Sequence, residues 1–214
     1  KKDNDFTIEL ENTIYVLDST IIDLCLATFK WAYFELQKSA VKIHTQLNLK
    51  GNIPSFFLIT KAKTHDVNFL DHLTYEPNAI YIMDRGYFDF ERLHTIHTQK
   101  AFFIIRAKES LSFQRLYSHP INKTIGLRCD QTIRLKNFYS QKYYPDKLRR
   151  IKYYDRETNK HYIYLTNNFD ITLTVNVTQP ITDGGQIGRE AIYAIKDALE
   201  RIDEETVVGA AGRR

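Results

Sequence analysis

Two aspartates stand directly behind short buried runs, and that placement is where chemistry could begin. Asp18 follows residues 13–17 (TIYVL), and Asp84 follows residues 79–83 (AIYIM). Runs rich in β-branched and aromatic residues read as buried strands. A strand end is a rigid platform, and α/β proteins place their sites at the carboxyl edge of the sheet. If the two strands are neighbours, both carboxylates enter one crevice, where a hard divalent cation takes oxygen ligands. Two such ions held roughly 3.5–4 Å apart activate a water and stabilise the leaving oxygen of a phosphodiester. In the plainer reading each aspartate caps a turn or the helix behind it. Spacing alone leaves both readings open.

Other residues carry weaker signals. His65 and Asp66 form either a pair that orients a ligand or an ordinary helix start. His94 and His97, three apart on a predicted helix, are a candidate metal pair, with a plain helix surface as the alternative. Arg85 could contact phosphate or brace the turn at Asp84. Gly86 reads as a turn position that only glycine tolerates.

The elements that must hold these residues follow from periodicity. Val41, Ile43, Thr45, Leu47 and Leu49 alternate, as a strand does. Residues 51–54 (GNIP) form a turn, and residues 56–60 (FFLIT) return as the second strand of a hairpin. Val67, Leu70 and Leu73 share one face of a short helix over 65–73. A helix over 89–99 and a strand over 101–105 complete the series, whereas residues 21–34 read as a helical or looped excursion. Strand, hairpin, helix, strand, helix, strand is an α/β order. Short strands at 132–135, 151–154 and 162–165 suggest a β-rich insertion. After residue 171 the texture changes again: an alternating run over 172–178 precedes an amphipathic helix through Ile187, Ala191, Ile195, Ala198, Leu199 and Ile202.

The chain has 214 residues, 43% hydrophobic and 13% aromatic, enough for one domain with an insertion or two small ones. Its net charge is only +4, which establishes no polyanion partner. The distribution says more. Residues 134–160 hold nine basic residues against three acidic ones, a local surplus of six, interleaved with tyrosines. That composition suits phosphate neutralisation and base stacking; a solvated hairpin with cross-strand tyrosine pairs is the alternative. Two cysteines, Cys25 and Cys129, make no zinc framework and read as free thiols in a reducing compartment. No stretch approaches the roughly 20 apolar residues of a membrane span, and the N-terminus is no signal peptide. The absence of an initiator Met reads as a fragment.

Six blocks in register resemble the DDE-type transposases of bacterial insertion sequences, in the subgroup marked by Asp-Arg-Gly-Tyr. They are residues 17–20 (LDST), 41–44 (VKIH), 64–66 (THD), 84–87 (DRGY), 103–106 (FIIR) with Lys108, and 162–170 (YIYLTNNFD). The resemblance spans about residues 10–171. It implies a ribonuclease-H-like mixed sheet flanked by helices, with a core over 1–110, a basic β-rich insertion over 111–168 and an unrelated tail over 172–214. It also implies that Asp18 and Asp84 are catalytic and bind two Mg²⁺ or Mn²⁺ ions. The reaction would be hydrolysis at a transposon end followed by attack of the freed 3′-hydroxyl on target DNA. Double-stranded DNA is the expected partner, met by Arg85, Arg106, Lys108, Lys136, Lys142, Arg149, Arg150 and Lys152. A homodimer, no membrane association and a cytoplasmic, nucleoid-associated location accompany it.

One element of the pattern is missing. The family carries a third acid in Tyr-x2-Arg-x3-Glu-x6-Lys. Tyr153 and Arg156 have the first spacing, but Lys160 stands where Glu belongs. Glu190 is the one tail residue considered as a stand-in. The expectation is therefore impaired cleavage, with a catalytically dead DNA-binding remnant as the alternative.

Overall fold

The computed structural model describes residues 12–24, 33–35, 38–51, 53–107, 110–156 and 158–170. The predicted tail strand and helix, Glu190, Cys25 and Lys108 lie outside them.

The centre of the molecule is three strands: β1 (Ile14–Leu24), with β2 (Tyr33–Glu35), β3 (Lys38–Asn48) and β4 (Ile53–Lys61) on one side, then β5 (Ile80–Met83) and β6 (Phe102–Arg106) on the other. β1 pairs with β5 and β5 with β6 in parallel; β1 pairs with β3 antiparallel. Ile14–Leu17 and all of β5 are buried, because parallel strands covered on both faces need continuous apolar runs rather than alternation. β4 lies off the main path, against β3 alone. Pro54 is tolerated there, beside the register shift between Gln46 and Leu47.

The chain reaches β5 through a 3₁₀ helix, Asp66–His72, that buries Phe69 and Leu70. Between β5 and β6 runs α1 (Phe90–Thr98), capped by the Asp89 carboxylate accepting from Arg92 N at 3.0 Å. Leu93 and Ile96 point it into the core, and Lys100 at φ 61° closes it in the left-handed conformation. Two apolar clusters cover the faces of the sheet. One holds Tyr15, Leu17, Tyr81, Met83, Phe103 and Ile105 under α1 and the 3₁₀ helix. The other holds Ile14, Val16, Ile80, Ile82, Ile104 and Tyr164.

The later strands do not form a separate sheet. β7 (Phe113–Ser118), β8 (Leu127–Leu135), β9 (Leu148–Asp155) and β10 (Lys160–Thr166) make an antiparallel meander. β10 docks antiparallel on β6, so one ten-stranded mixed sheet runs through the described residues. A short helix, α2 (Phe138–Tyr143), interrupts β8 and β9; it buries none of its own residues and starts on the Asn137 cap. Gly126 turns at φ 91°, where a Cβ would meet Tyr153 and the Tyr154 carbonyl at 2.6 Å, so only glycine fits.

Three expectations change. Residues 21–24 continue β1 rather than entering a helix or loop, because β3 pairs with them through Leu24. The predicted helix at 65–73 is 3₁₀, not α. Helices are also fewer than a sheet flanked by helices implies: among the described residues α1 and α2 are the α-helices. No helix among the described residues is long and apolar enough to cross a membrane.

Candidate active site

The last parallel pair between β1 and β5 is Leu17 opposite Met83. One residue beyond it on each strand come Asp18 and Asp84. Both keep the alternation of Val16 and Ile82, so the sheet presents them side by side at its carboxyl edge. The neighbour condition on which the metal reading depended is met. The capping reading is met as well. Asp84 Oδ1 accepts from Gly86 N at 2.8 Å and opens the 3₁₀ turn Arg85–Tyr87, while Asp18 Oδ1 accepts from Ser19 N at 2.8 Å. Each bond fixes the orientation of one carboxylate.

Burial pushes the Asp84 carboxyl above the ordinary aspartate range; the Asp66 charge adds to this, and the Gly86 N–H opposes it. Asp18 is exposed. Beneath them sits Tyr87, 1% exposed, its hydroxyl buried without a hydrogen bond of ordinary geometry, Ser19 being the nearest candidate. Burial first, then the charges of Asp66, Asp18 and Asp84, push that phenol far up. The buried hydroxyl thus lies within the field of three carboxylates, with Ser19 as its nearest partner.

Asp66 is the member of this group whose role the sequence left open. It opens the 3₁₀ helix, in line with the helix-start reading, but no side-chain cap accompanies it. Its Oδ1 instead accepts from Ser19 Oγ at 2.9 Å and pairs with Lys42 Nζ at 3.0 Å, with His44 Nδ1 at 3.7 Å. Burial lowers the His44 pKa more than Asp66 raises it, which keeps that ring neutral. Gly86 has no positive φ. Glycine is required there for space: a Cβ would stand 3.1 Å from both Asp66 Oδ2 and Asp84 Oδ1. The alternating pattern of β3 did not flag Lys42 and His44: it sets them opposite Val41, Ile43 and Leu47, on the face a half-buried strand leaves to solvent, and the structure buries that face.

The donors here are hard carboxylate oxygens in an acidic, partly exposed corner, which fits Mg²⁺ or Mn²⁺, ions held by one or two carboxylates with waters and phosphate completing the shell. Among the described residues no set of three His, Cys, Asp or Glu closes around a metal on its own. His94 and His97 do not pair on an ion. Both face Asp146, at 3.1 and 3.8 Å, and Tyr144 OH stands 2.8 Å from His97 Nδ1.

The predicted basic contacts divide. Arg85, Lys136 and Lys142 are exposed. Arg106 lies over the Tyr162 ring at 4.9 Å, near the carboxylates. Arg150 and Lys152 are half-buried; Arg150 donates to Gln131 Oε1 and Cys129 Sγ, both at 3.1 Å. Arg149 departs from the expectation. It is buried, and its Nε donates to Asp130 Oδ1 at 2.9 Å while a second nitrogen pairs with Oδ2. A guanidinium committed in this bidentate way is not a surface phosphate contact.

The chain is 25% identical over 109 residues to the "Probable transposase for insertion sequence element IS5377" of Geobacillus stearothermophilus, a stretch covering 51% of this chain and 29% of that protein. It thus spans under a third of that relative's length. Among solved structures, it aligns with the piggyBac transposase synaptic complex with hairpin DNA at TM-score 0.45 and 9% identity, over 91% of this chain and 40% of that one. A family model described as the transposase DDE domain matches residues 9–178, well over half of the sequence, and the chain belongs to that family.

Proposed function

We propose that this chain is the ribonuclease-H-like catalytic region of a DNA transposase, cutting and joining strands at transposon ends by divalent-metal phosphoryl transfer. The observation that carries the reading is the pair Asp18 and Asp84, one residue past the last parallel pair of adjacent strands, inside the span that matches the family. Asp18 and Asp84 would hold the ion. A bound Mg²⁺ or Mn²⁺ supplies charge neutralisation on the phosphate and an acidified water or 3′-hydroxyl. The chain's own part is placement. Gly86 N and Ser19 N orient the two carboxylates. Arg85 and Arg106 lie close enough to Asp84 to lower its pKa, and they offer positive charge to a phosphate backbone. Lys136 and Lys142 extend that field along the meander. Double-stranded DNA is the substrate, and a homodimer bridging two ends suits the reaction.

A second reading is a DNA-binding remnant without catalysis. It is favoured by Lys160, which stands where the family pattern carries its third acid.

Cleavage and electrophoretic-shift assays on duplexes carrying the element's terminal repeats separate the two. The chain with the family's Glu-bearing helix restored should cut with Mg²⁺, and Asp84→Ala in that background should bind but not cut. Failure of the restored chain to cut any end duplex sinks the catalytic reading.

A further inference from the structure

We propose that Asp66, held by Lys42, is the positioning residue that sets Asp18 and Asp84 in register for a divalent cation. The inference rests on the metal-site reading above and adds to it a part that neither aspartate can supply.

Both carboxylates lie just past the last pair between β1 and β5, whose ladder ends at Leu17 and Met83, while β1 runs on against β3 alone with Asp18 opposite Thr45. Something beyond the ladder must fix the two exits relative to each other. Asp66 touches both. On one side its Oδ1 takes the Ser19 hydroxyl at 2.9 Å, and Ser19 N in turn holds Asp18 Oδ1 at 2.8 Å. On the other side Gly86 offers no Cβ, which lets Asp66 Oδ2 and Asp84 Oδ1 approach the same point; Gly86 N then holds Asp84 Oδ1. The two chains of contact have the same form: Asp66 to a residue that presents its backbone N–H to a carboxylate.

Asp66 is itself anchored. Lys42 Nζ lies 3.0 Å from its Oδ1 and donates to Thr64 O at 2.8 Å, tying β3 to the segment that enters the 3₁₀ helix. The Lys42 side chain is 11% exposed and the Asp66 side chain 26%, so the pair is partly desolvated and feels its partner strongly. A separate observation points to a ligand in this corner. The Tyr87 hydroxyl, in a residue 1% exposed, has no hydrogen bond of ordinary geometry, Ser19 being its nearest candidate, and it lies within the field of Asp66, Asp18 and Asp84. A buried hydroxyl normally finds a partner, and a hydrated cation among the three carboxylates brings one.

The test is Mn²⁺ binding to the full 214-residue chain, followed by electron paramagnetic resonance for both affinity and line shape of the bound ion. Asp66→Asn should weaken binding by about 10-fold or more and broaden the bound signal, as loss of a group that orients metal ligands does. Lys42→Met is the discriminating variant. Through its field alone, removal of a positive charge would tighten Mn²⁺; as loss of the anchor, it should weaken it several-fold, and Lys42→Arg should restore much of the loss. Ser19→Ala, which deletes one hydrogen bond, gives a smaller loss in the same direction and serves if Asp66→Asn does not fold. Thermal melts of each variant confirm that a fold was present to bind. If Asp66→Asn and Ser19→Ala bind with wild-type affinity and line shape while Asp84→Asn does not bind, the positioning role is overturned and the metal site stands. Lys42→Met binding more tightly than wild type overturns it equally. If Asp18→Asn and Asp84→Asn bind like wild type, the underlying metal reading fails and takes this role with it.

Discussion

The corner of the sheet where the pairing of β1 with β5 ends and the antiparallel meander β7–β10 treat charge in opposite ways. At that corner, acidic side chains gather: Asp66 pairs with Lys42, and Asp84 feels both the Asp66 charge and the opposing charges of Arg85 and Arg106. In the meander, basic residues outnumber acidic ones along the sequence, yet several are already spent. Arg149 is buried on Asp130, and Arg150 on Gln131 and Cys129. Tyr144, Tyr153 and Tyr164 are buried too, whereas Tyr117, Phe138, Tyr139 and Tyr143 are exposed. On the proposed function, a site that takes up a cation keeps its carboxylates close together. A frame that must hold a surface satisfies its own first. On the proposed function, the part of the meander left to face DNA is smaller than its composition implies and includes Lys136, Lys142 and the exposed aromatics of α2.

The largest expected effect tests whether Arg149 belongs to the frame. Arg149→Ala strands the Asp130 charge in a position 8% exposed, and should cost about 3–5 kcal/mol of stability, read as a lower urea midpoint. Replacing both partners, Arg149→Met with Asp130→Leu, should be close to neutral. A loss under about 1 kcal/mol for Arg149→Ala would mean that the arginine is a surface group and would break the contrast.

A sharper version uses DNA. With duplex binding followed by anisotropy over a salt series, Lys136→Ala and Lys142→Ala should each flatten the dependence of log affinity on log salt by about 0.9. The Arg149→Met/Asp130→Leu chain should keep the wild-type slope. Equal flattening by all three would return Arg149 to the DNA face.

The smallest effect lies on the acidic half, where an exposed pair contrasts with the buried one. Arg92 donates to both Asp71 oxygens at 2.7 Å, and this hydrogen-bonded pairing holds the Asp71 carboxyl below its usual range. A depressed carboxyl contributes stability above its unfolded value and loses it as the pH falls through the folded one. Asp71→Asn should thus cost about 0.5 kcal/mol at neutral pH. The difference from wild type should vanish on acidification below about pH 4, where unfolded aspartate protonates. A gap that persists in acid would show a packing role instead.

How much of this was legible in the sequence differs between the same two regions. Residues 13–17, 79–83 and 101–105 announced themselves as strands because burial on both faces demands unbroken apolar runs. β7 was not legible: FQRLYS is exposed along nearly its whole length and has no apolar face to reveal it. α2 was missed for a related reason, since it buries none of its residues and depends on its cap. Residues 21–24 were misread because their strand character comes from β3 across the ladder, not from their own pattern.

By itself the sequence determined that two aspartates follow two buried strands, and that a lysine- and tyrosine-rich stretch follows the core; both are properties of neighbours along the chain. Only the tertiary structure decided which charges meet. Ser19 and Asp66 are 47 positions apart and Arg149 and Asp130 are 19 apart. Whether such groups face a partner, a ligand or water depends on strand register and on which side of the sheet each side chain leaves, and a shift of one residue reverses the answer.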